Sequence, residues 1–114
     1  MRTLLYLSCL VALLSAVSCR PAADIRAAEA KAQWLVGQRA TTNQVAEAFG
    51  AAPIHIYTRS EALKYLGQQP SSEQWKSMSQ YPMAYEFTMQ RAGGWVLVYF
   101  DDEGRAASYY VNIQ

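Results

Sequence analysis

Two hydrophobic periods divide the chain. Between residues 24 and 50 apolar side chains recur at helical spacing, and from Met83 onward they alternate with polar ones. In the first region Ile25, Ala28, Ala32 and Leu35 fall on one face, with Trp34 and Val36 flanking it. This predicts a helix opened by Asp24 as its N-cap and closed by Gly37. A shorter helix follows, with Thr41 and Gln44 as a capping box, Val45, Ala48 and Phe49 as its buried stripe, and Gly50 as its stop. Pro53 then fixes an extended exit.

In the second region Met83, Tyr85, Phe87 and Met89 alternate with Ala84, Glu86, Thr88 and Gln90, the signature of a half-buried strand. Ala92-Gly93-Gly94 reads as a tight turn. Trp95 to Phe100 is apolar throughout, as expected of a central strand covered on both sides. Asp101 to Gly104 turns the chain again, and Arg105 to Ile113 is the last strand. The expected fold is α+β: two N-terminal helices packed on one face of a small antiparallel three-stranded meander. The 54–82 link leaves room for an extra strand and short helices. Ile54 to Thr58 alternates like a strand, and Thr58 with Glu61 forms a capping box for a helix through Leu66 that Gly67 ends. Ser71 with Gln74 is expected to cap a further turn around Trp75 and Met78.

The N-terminus follows neither period. Met1 to Ser18 carries one charge, Arg2, ahead of an apolar run from Leu4 to Val17. A positive start, an apolar stretch and a small-residue exit describe a secretory signal. The run is shorter than the roughly 20 residues a bilayer crossing needs. The exit, Leu14-Ser15-Ala16-Val17-Ser18-Cys19, resembles the lipobox of bacterial lipoproteins, in which the cysteine is acylated and the signal is cut just before it. Ala16-Val17-Ser18 also fits ordinary signal cleavage, which would leave a soluble periplasmic protein with a bare thiol. The expected organisation is a signal peptide at 1–18, a lipidated tether at 19–23 and one small domain at 24–114.

Composition narrows the function classes. The ten basic and nine acidic residues balance once Arg2 is removed. There is no electrostatic footprint for nucleic acid and no polybasic patch for anionic lipid. Of the two cysteines, Cys9 lies in the signal, so the mature chain has no internal disulfide and no cysteine-based zinc site. Stability must come from burying aliphatic and aromatic side chains.

Several features in order resemble a known family. Val36-Gly37, Thr41/Thr42, Val45, Phe49-Gly50 and Pro53 follow its helix-turn-helix. Tyr85-Glu86-Phe87 is similar to its aromatic strand. Val96-Leu97-Val98-Tyr99-Phe100-Asp101-Asp102-Glu103-Gly104 is similar to its apolar run and acidic turn. With the lipobox in front, the chain resembles the SmpA/OmlA, or BamE-like, small outer-membrane lipoproteins over 35–53 and 85–111. It departs from them in the extra residue before Pro53 and in the length of the 54–82 link, and no partner-binding residue of the family finds a matching position. The resemblance implies the helix-helix-sheet fold, an outer-membrane, periplasm-facing setting, and envelope partners that include the barrel assembly machinery. Arg20 after the cysteine, where an inner-membrane retention aspartate would stand, points the same way.

No catalytic set emerges. His55 is the single histidine and reads as an edge-strand or surface residue. Asp101, Asp102 and Glu103 lack calcium-loop spacing and read as a solvated turn. Glu86 stands alone, and the serines at 71, 72, 77 and 79 lack a nucleophile frame. No enzyme, metal or cofactor is expected. The candidate contacts are aromatic: Tyr57, Tyr65, Trp75 and Tyr81 in or near the link, and Tyr110, which points opposite to Tyr109 on the last strand; core packing is the alternative reading of each ring. Trp95 and Phe100 are assigned to the core. The leading expectation is a lipid-anchored binding or scaffold lipoprotein touching a partner through an exposed sheet face or edge strand. The alternative is an inhibitor or sensor domain whose aromatic link plugs the cleft of a periplasmic enzyme.

Overall fold

The computed structural model describes residues 20–89 and 93–113. The signal, Cys19 and most of the first hairpin turn lie outside them. Among the described residues the order is α1 (Arg20–Gly37), α2 (Thr42–Phe49), β1 (His55–Thr58), α3 (Arg59–Gln68), α4 (Glu73–Met78), β2 (Met83–Met89), β3 (Gly94–Phe100) and β4 (Ala106–Asn112). The strands form one antiparallel sheet in the order β1-β2-β3-β4. The α+β class and the meander of β2, β3 and β4 agree with the sequence. The sheet has four strands rather than three, because the link supplies β1 at the edge, paired through Ile56 with Tyr85 and Tyr57 with Ala84.

The link also supplies a second helical layer. Phe87, Met89, Val96, Val98, Phe100 and Ala106 pack with Ala32 and Leu35 of α1 and Val45 of α2. Ala84, Leu97 and Tyr99 point to the opposite face and pack with Ala62 of α3 and Met78 of α4. Helices therefore lie on both faces, where the sequence led us to expect them on one. The cause is in β3: every second side chain of an unbroken apolar strand faces away from α1 and must also be covered. Tyr109 and Tyr110 take opposite faces as expected, but each is half-buried, one against each core.

Local chemistry sets the helix ends. Both arms of the Thr41/Gln44 box form, and so do both arms of the Thr58/Glu61 box. Three predicted ends move. Helix α1 is already formed at Arg20, the first described residue, so 20–23 have helical backbone and Asp24 stands inside the helix, not at the cap. Ser72, not Ser71, caps α4 by accepting from the Trp75 N–H, which frees Gln74 to turn inward. Helix α3 passes through Gly67 to Gln68.

Helix α1 ends at Gly37 as expected, but Gly37 is not its left-handed cap. Gly37 is helical, and Arg39 takes the left-handed conformation at φ 52°. The Ala40 N–H donates to the Leu35 carbonyl and the Arg39 N–H to the Val36 carbonyl, the paired bonds of a Schellman turn. A left-handed arginine is strained. Its guanidinium is tied to Asp101 Oδ2 at 3.1 Å and Glu103 Oε2 at 3.0 Å in the β3–β4 turn. The Arg105 guanidinium reaches the Arg39 carbonyl, and the Ala106 N–H donates to the Ala40 carbonyl. The acidic turn thus latches the α1–α2 corner, a role beyond the solvated turn expected of it.

Gly94 starts β3 where no side chain fits: a Cβ there would collide with the Asn112 carbonyl oxygen and lie 2.9 Å from the Met89 Cε. Because the clash is with backbone, Gly94→Ala is expected to lower stability by about 3 kcal/mol, the upper part of the overpacking range. Urea denaturation midpoints of the two proteins measure it.

Candidate functional site

The five predicted contact aromatics gather on the α3/α4 side of the sheet. Trp75 stacks on Tyr65 at 4.7 Å and meets the edge of Tyr57 at 5.4 Å. Tyr81 stacks on Tyr99 at 5.2 Å. Tyr57, Trp75, Tyr81 and Tyr110 all pack against the core of that face. The fold thus brings Tyr57, Tyr65 and Trp75 together as one group, while Tyr81 lies over Tyr99 and Tyr110 stands on β4. All five are half-buried, so each offers one ring face to the protein and part of itself to solvent. Trp95, assigned to the core outright, is also only half-buried, whereas Phe100 is fully enclosed.

A buried amide organises this face. Gln74 Oε1 accepts from Trp95 Nε1 at 3.1 Å and from Asn112 Nδ2 at 3.0 Å. The Tyr99 hydroxyl reaches the Gln74 carbonyl at 3.5 Å. Sequence spacing suggested Gln74 only as a capping residue, and nothing in its neighbours marks it as the acceptor joining β3, β4 and α4. Tyr57 donates to Glu86 Oε1 at 2.8 Å, so Glu86 does not stand alone. Burial, reinforced by this bond to a carboxylate, pushes the Tyr57 hydroxyl above its ordinary range. Tyr99 is pushed up as well, by burial first and then by Tyr110 and Tyr81.

His55 lies on the edge strand, exposed, as the sequence suggested. Its Nε2 is 3.0 Å from Glu61 Oε2 and its ring lies 4.0 Å from that of Tyr57. The His55 bond, helped by the Thr58 backbone N–H, holds the Glu61 carboxyl below its usual range against a small desolvation cost. The Thr58 hydroxyl donates to Glu61 Oε1 at 3.4 Å, so the pair belongs to the capping box of α3. Among the described residues no group of three or more His, Cys, Asp or Glu could hold a metal ion.

The opposite face carries a groove. It has a volume of about 530 Å³, with Phe87, Met89 and Val96 as its floor and the first half of α1 and Phe49 among its walls. Phe49 stacks flat on Phe87 at 4.3 Å, and Lys31 Nζ sits 5.1 Å from the Phe49 ring. At its open side Ile54 is 57% exposed, and Ile56 follows at 48% on β1. Trp34, Leu63 and Ile113 are further exposed apolar side chains. The sequence reading passed over this group. Ile54 and Ile56 were visible as one face of a strand, but only the position of β1 at the edge, away from the cover of α1, leaves them open.

Two expected outcomes test these assignments. If the aromatic group is mainly packing, Trp75→Ala lowers stability by about 2 kcal/mol or more, as removal of a large packed ring does, and urea denaturation reads it. The Asp101 carboxyl is held below its usual range, first by the Arg105 backbone N–H and then by Arg39. A carboxyl lowered in the folded chain stabilises above its unfolded value and loses that contribution as pH falls through the folded one. Asp101→Asn keeps an acceptor oxygen but not the charge. It is therefore expected to be less stable at neutral pH and to show a shallower loss of stability on acidification below about pH 4, read from denaturation midpoints across pH.

No protein-family model, no curated protein and no solved structure matches the chain.

Proposed function

We propose that the chain is a lipid-anchored lipoprotein of the bacterial envelope, facing the periplasm from the outer membrane, that works by binding and not by catalysis. The observation that carries this reading is the N-terminal sequence: one positive charge, an apolar run too short to span, and small residues leading into Cys19. The balanced charge and single remaining cysteine of the mature chain accord with it, because such a domain has neither a nucleic-acid footprint nor a disulfide staple. The partners are envelope proteins, and support of outer-membrane protein assembly is the role suggested by the resemblance to the SmpA/OmlA family.

A binding role needs an accessible surface, and helices on both faces of the sheet change where it lies. An open sheet face is not on offer. Candidate contacts are the outer parts of the Tyr57–Tyr65–Trp75 group, the groove beside Ile54, the edge of β1, and the edge of β4 beyond the Ala40–Ala106 hydrogen bond. Anchoring raises the effective concentration of a weak binder at its membrane, so small patches suffice. The alternative, an inhibitor that plugs an enzyme cleft with its aromatic link, has less support, because the rings of that link are packed against the domain's own core.

Intact-mass measurement of the mature protein tests the anchor: the wild type is expected to carry acyl groups, and Cys19→Ser is expected to carry none. Capture from solubilised envelopes tests the binding role, with enrichment of an envelope protein over a denatured control as the expected result. A soluble mature chain with a bare thiol would overturn the reading.

A further inference from the structure

The fold has two distinguishable ends. The rungs of the meander run from Met89, Gly94 and Asn112 at one end to Met83, Phe100 and Ala106 at the other. Helix α1 lies lengthwise along them. Near its start Asp24 lines the groove with Thr88 and Met89. After its end Arg39 is latched to Asp101 and Glu103 in the β3–β4 turn. The first turns of α1 therefore stand at the same end as Gly94 and Ile113.

No spacer separates that end from the proposed lipid. Helix α1 begins at Arg20, the residue after Cys19. It belongs to the folded body, burying Ala32 and Leu35 in the core with Ile25 and Ala28 packed against it. Its eighteen residues span about 27 Å at the α-helical rise. The seven residues of β3 span about 23 Å at the strand rise. An acyl group on Cys19 would thus be fixed to one end of a stiff body roughly as long as the sheet.

We infer that the domain stands end-on against a lipid surface, with the first turns of α1, Gly94 and Ile113 toward the headgroups and the Arg39–Asp101–Glu103 latch pointing away. This rests on the acylation of Cys19 proposed above. Two exposed isoleucines fit it, while Trp34, equally exposed, lies toward the other end of α1. Ile113 is 58% exposed just past the last rung of β4, and Ile54 flanks the groove in the same half. Apolar side chains gain by entering the interfacial region. The far end gathers Arg39, Asp101, Asp102, Glu103 and Arg105, charges that would lose hydration against a membrane. With no tether the reach is short, so the partners this domain meets lie at the surface of its own membrane.

The test uses the mature acylated protein in phosphatidylethanolamine/phosphatidylglycerol vesicles that carry a headgroup quencher. Acylation blocks Cys19, so Ile113→Cys and Asp102→Cys each offer one thiol for a fluorophore, both at exposed positions. The dye at 113 is expected to be quenched several-fold more strongly than the dye at 102. Inserting about ten Gly/Ser residues between Cys19 and Arg20, a coil of about 17 Å, is expected to erase that difference. Equal quenching of the two dyes in the acylated protein without the insertion would overturn the orientation alone. A difference that survives the insertion would overturn the role given to the missing spacer. A mature mass without acyl groups would overturn the anchor reading, and this inference with it.

Discussion

Everything in this fold depends on β3 being apolar on both sides. Val96, Val98 and Phe100 face one way, while Leu97 and Tyr99 face the other, and all five are buried. A strand of that kind cannot sit in a sheet with one wet face. It needs two helical layers, and a short chain with no cysteine among its described residues must provide both from its own length. The N-terminal helices cover one face. The link between α2 and β2, which would otherwise be a long structureless connection, covers the other. Its length is thus a packing requirement, and its aromatics are the means by which two short helices fill a wide face.

Much of this was legible. The capping boxes at Thr41 and Thr58 formed because their partners lie three residues on, within reach of the same turn. The alternation of Met83 to Met89 placed β2, and the unbroken run from Trp95 placed β3. What was not legible is what depends on distant residues. Gly37 looks like a helix stop by its type alone. Gly37 is indeed the last helical residue, but the left-handed position that closes the turn is Arg39, whose guanidinium reaches across to Asp101 and Glu103, sixty-two and sixty-four positions away. Gln74 reads as a cap by spacing, yet its oxygen serves Trp95 and Asn112 from other strands. No local pattern encodes such contacts.

The candidate site suffered from the same limit. Aromatic residues in a long link suggested contact surface, since aromatic side chains dominate binding hot spots. Once the link is seen to fold, each ring has a packing duty first: Trp75 holds Tyr57 and Tyr65 together, and Tyr81 covers Tyr99. Besides Trp34 and Leu63 on the helices, the open apolar residues are isoleucines at the margins, Ile54 and Ile56 on the edge and Ile113 beyond the last rung. Their exposure follows from topology, because an edge strand and a strand end are where helical cover runs out.

These facts constrain how a binding domain of this build can act. Both sheet faces are used for folding, so a partner meets edges, helix backs and grooves, none of them a broad flat platform. Patches of that size supply modest affinity, since association must first offset the lost freedom of two bodies. A membrane anchor changes that balance by making encounter local, and an anchor joined directly to a packed helix also restricts which way the domain faces. Affinity too weak for a protein free in solution then becomes sufficient for one held in place. The stiffness of α1, set by Ala32 and Leu35 in the core and by the latch at Arg39, is what would turn a lipid attached at one end into an orientation for the whole domain.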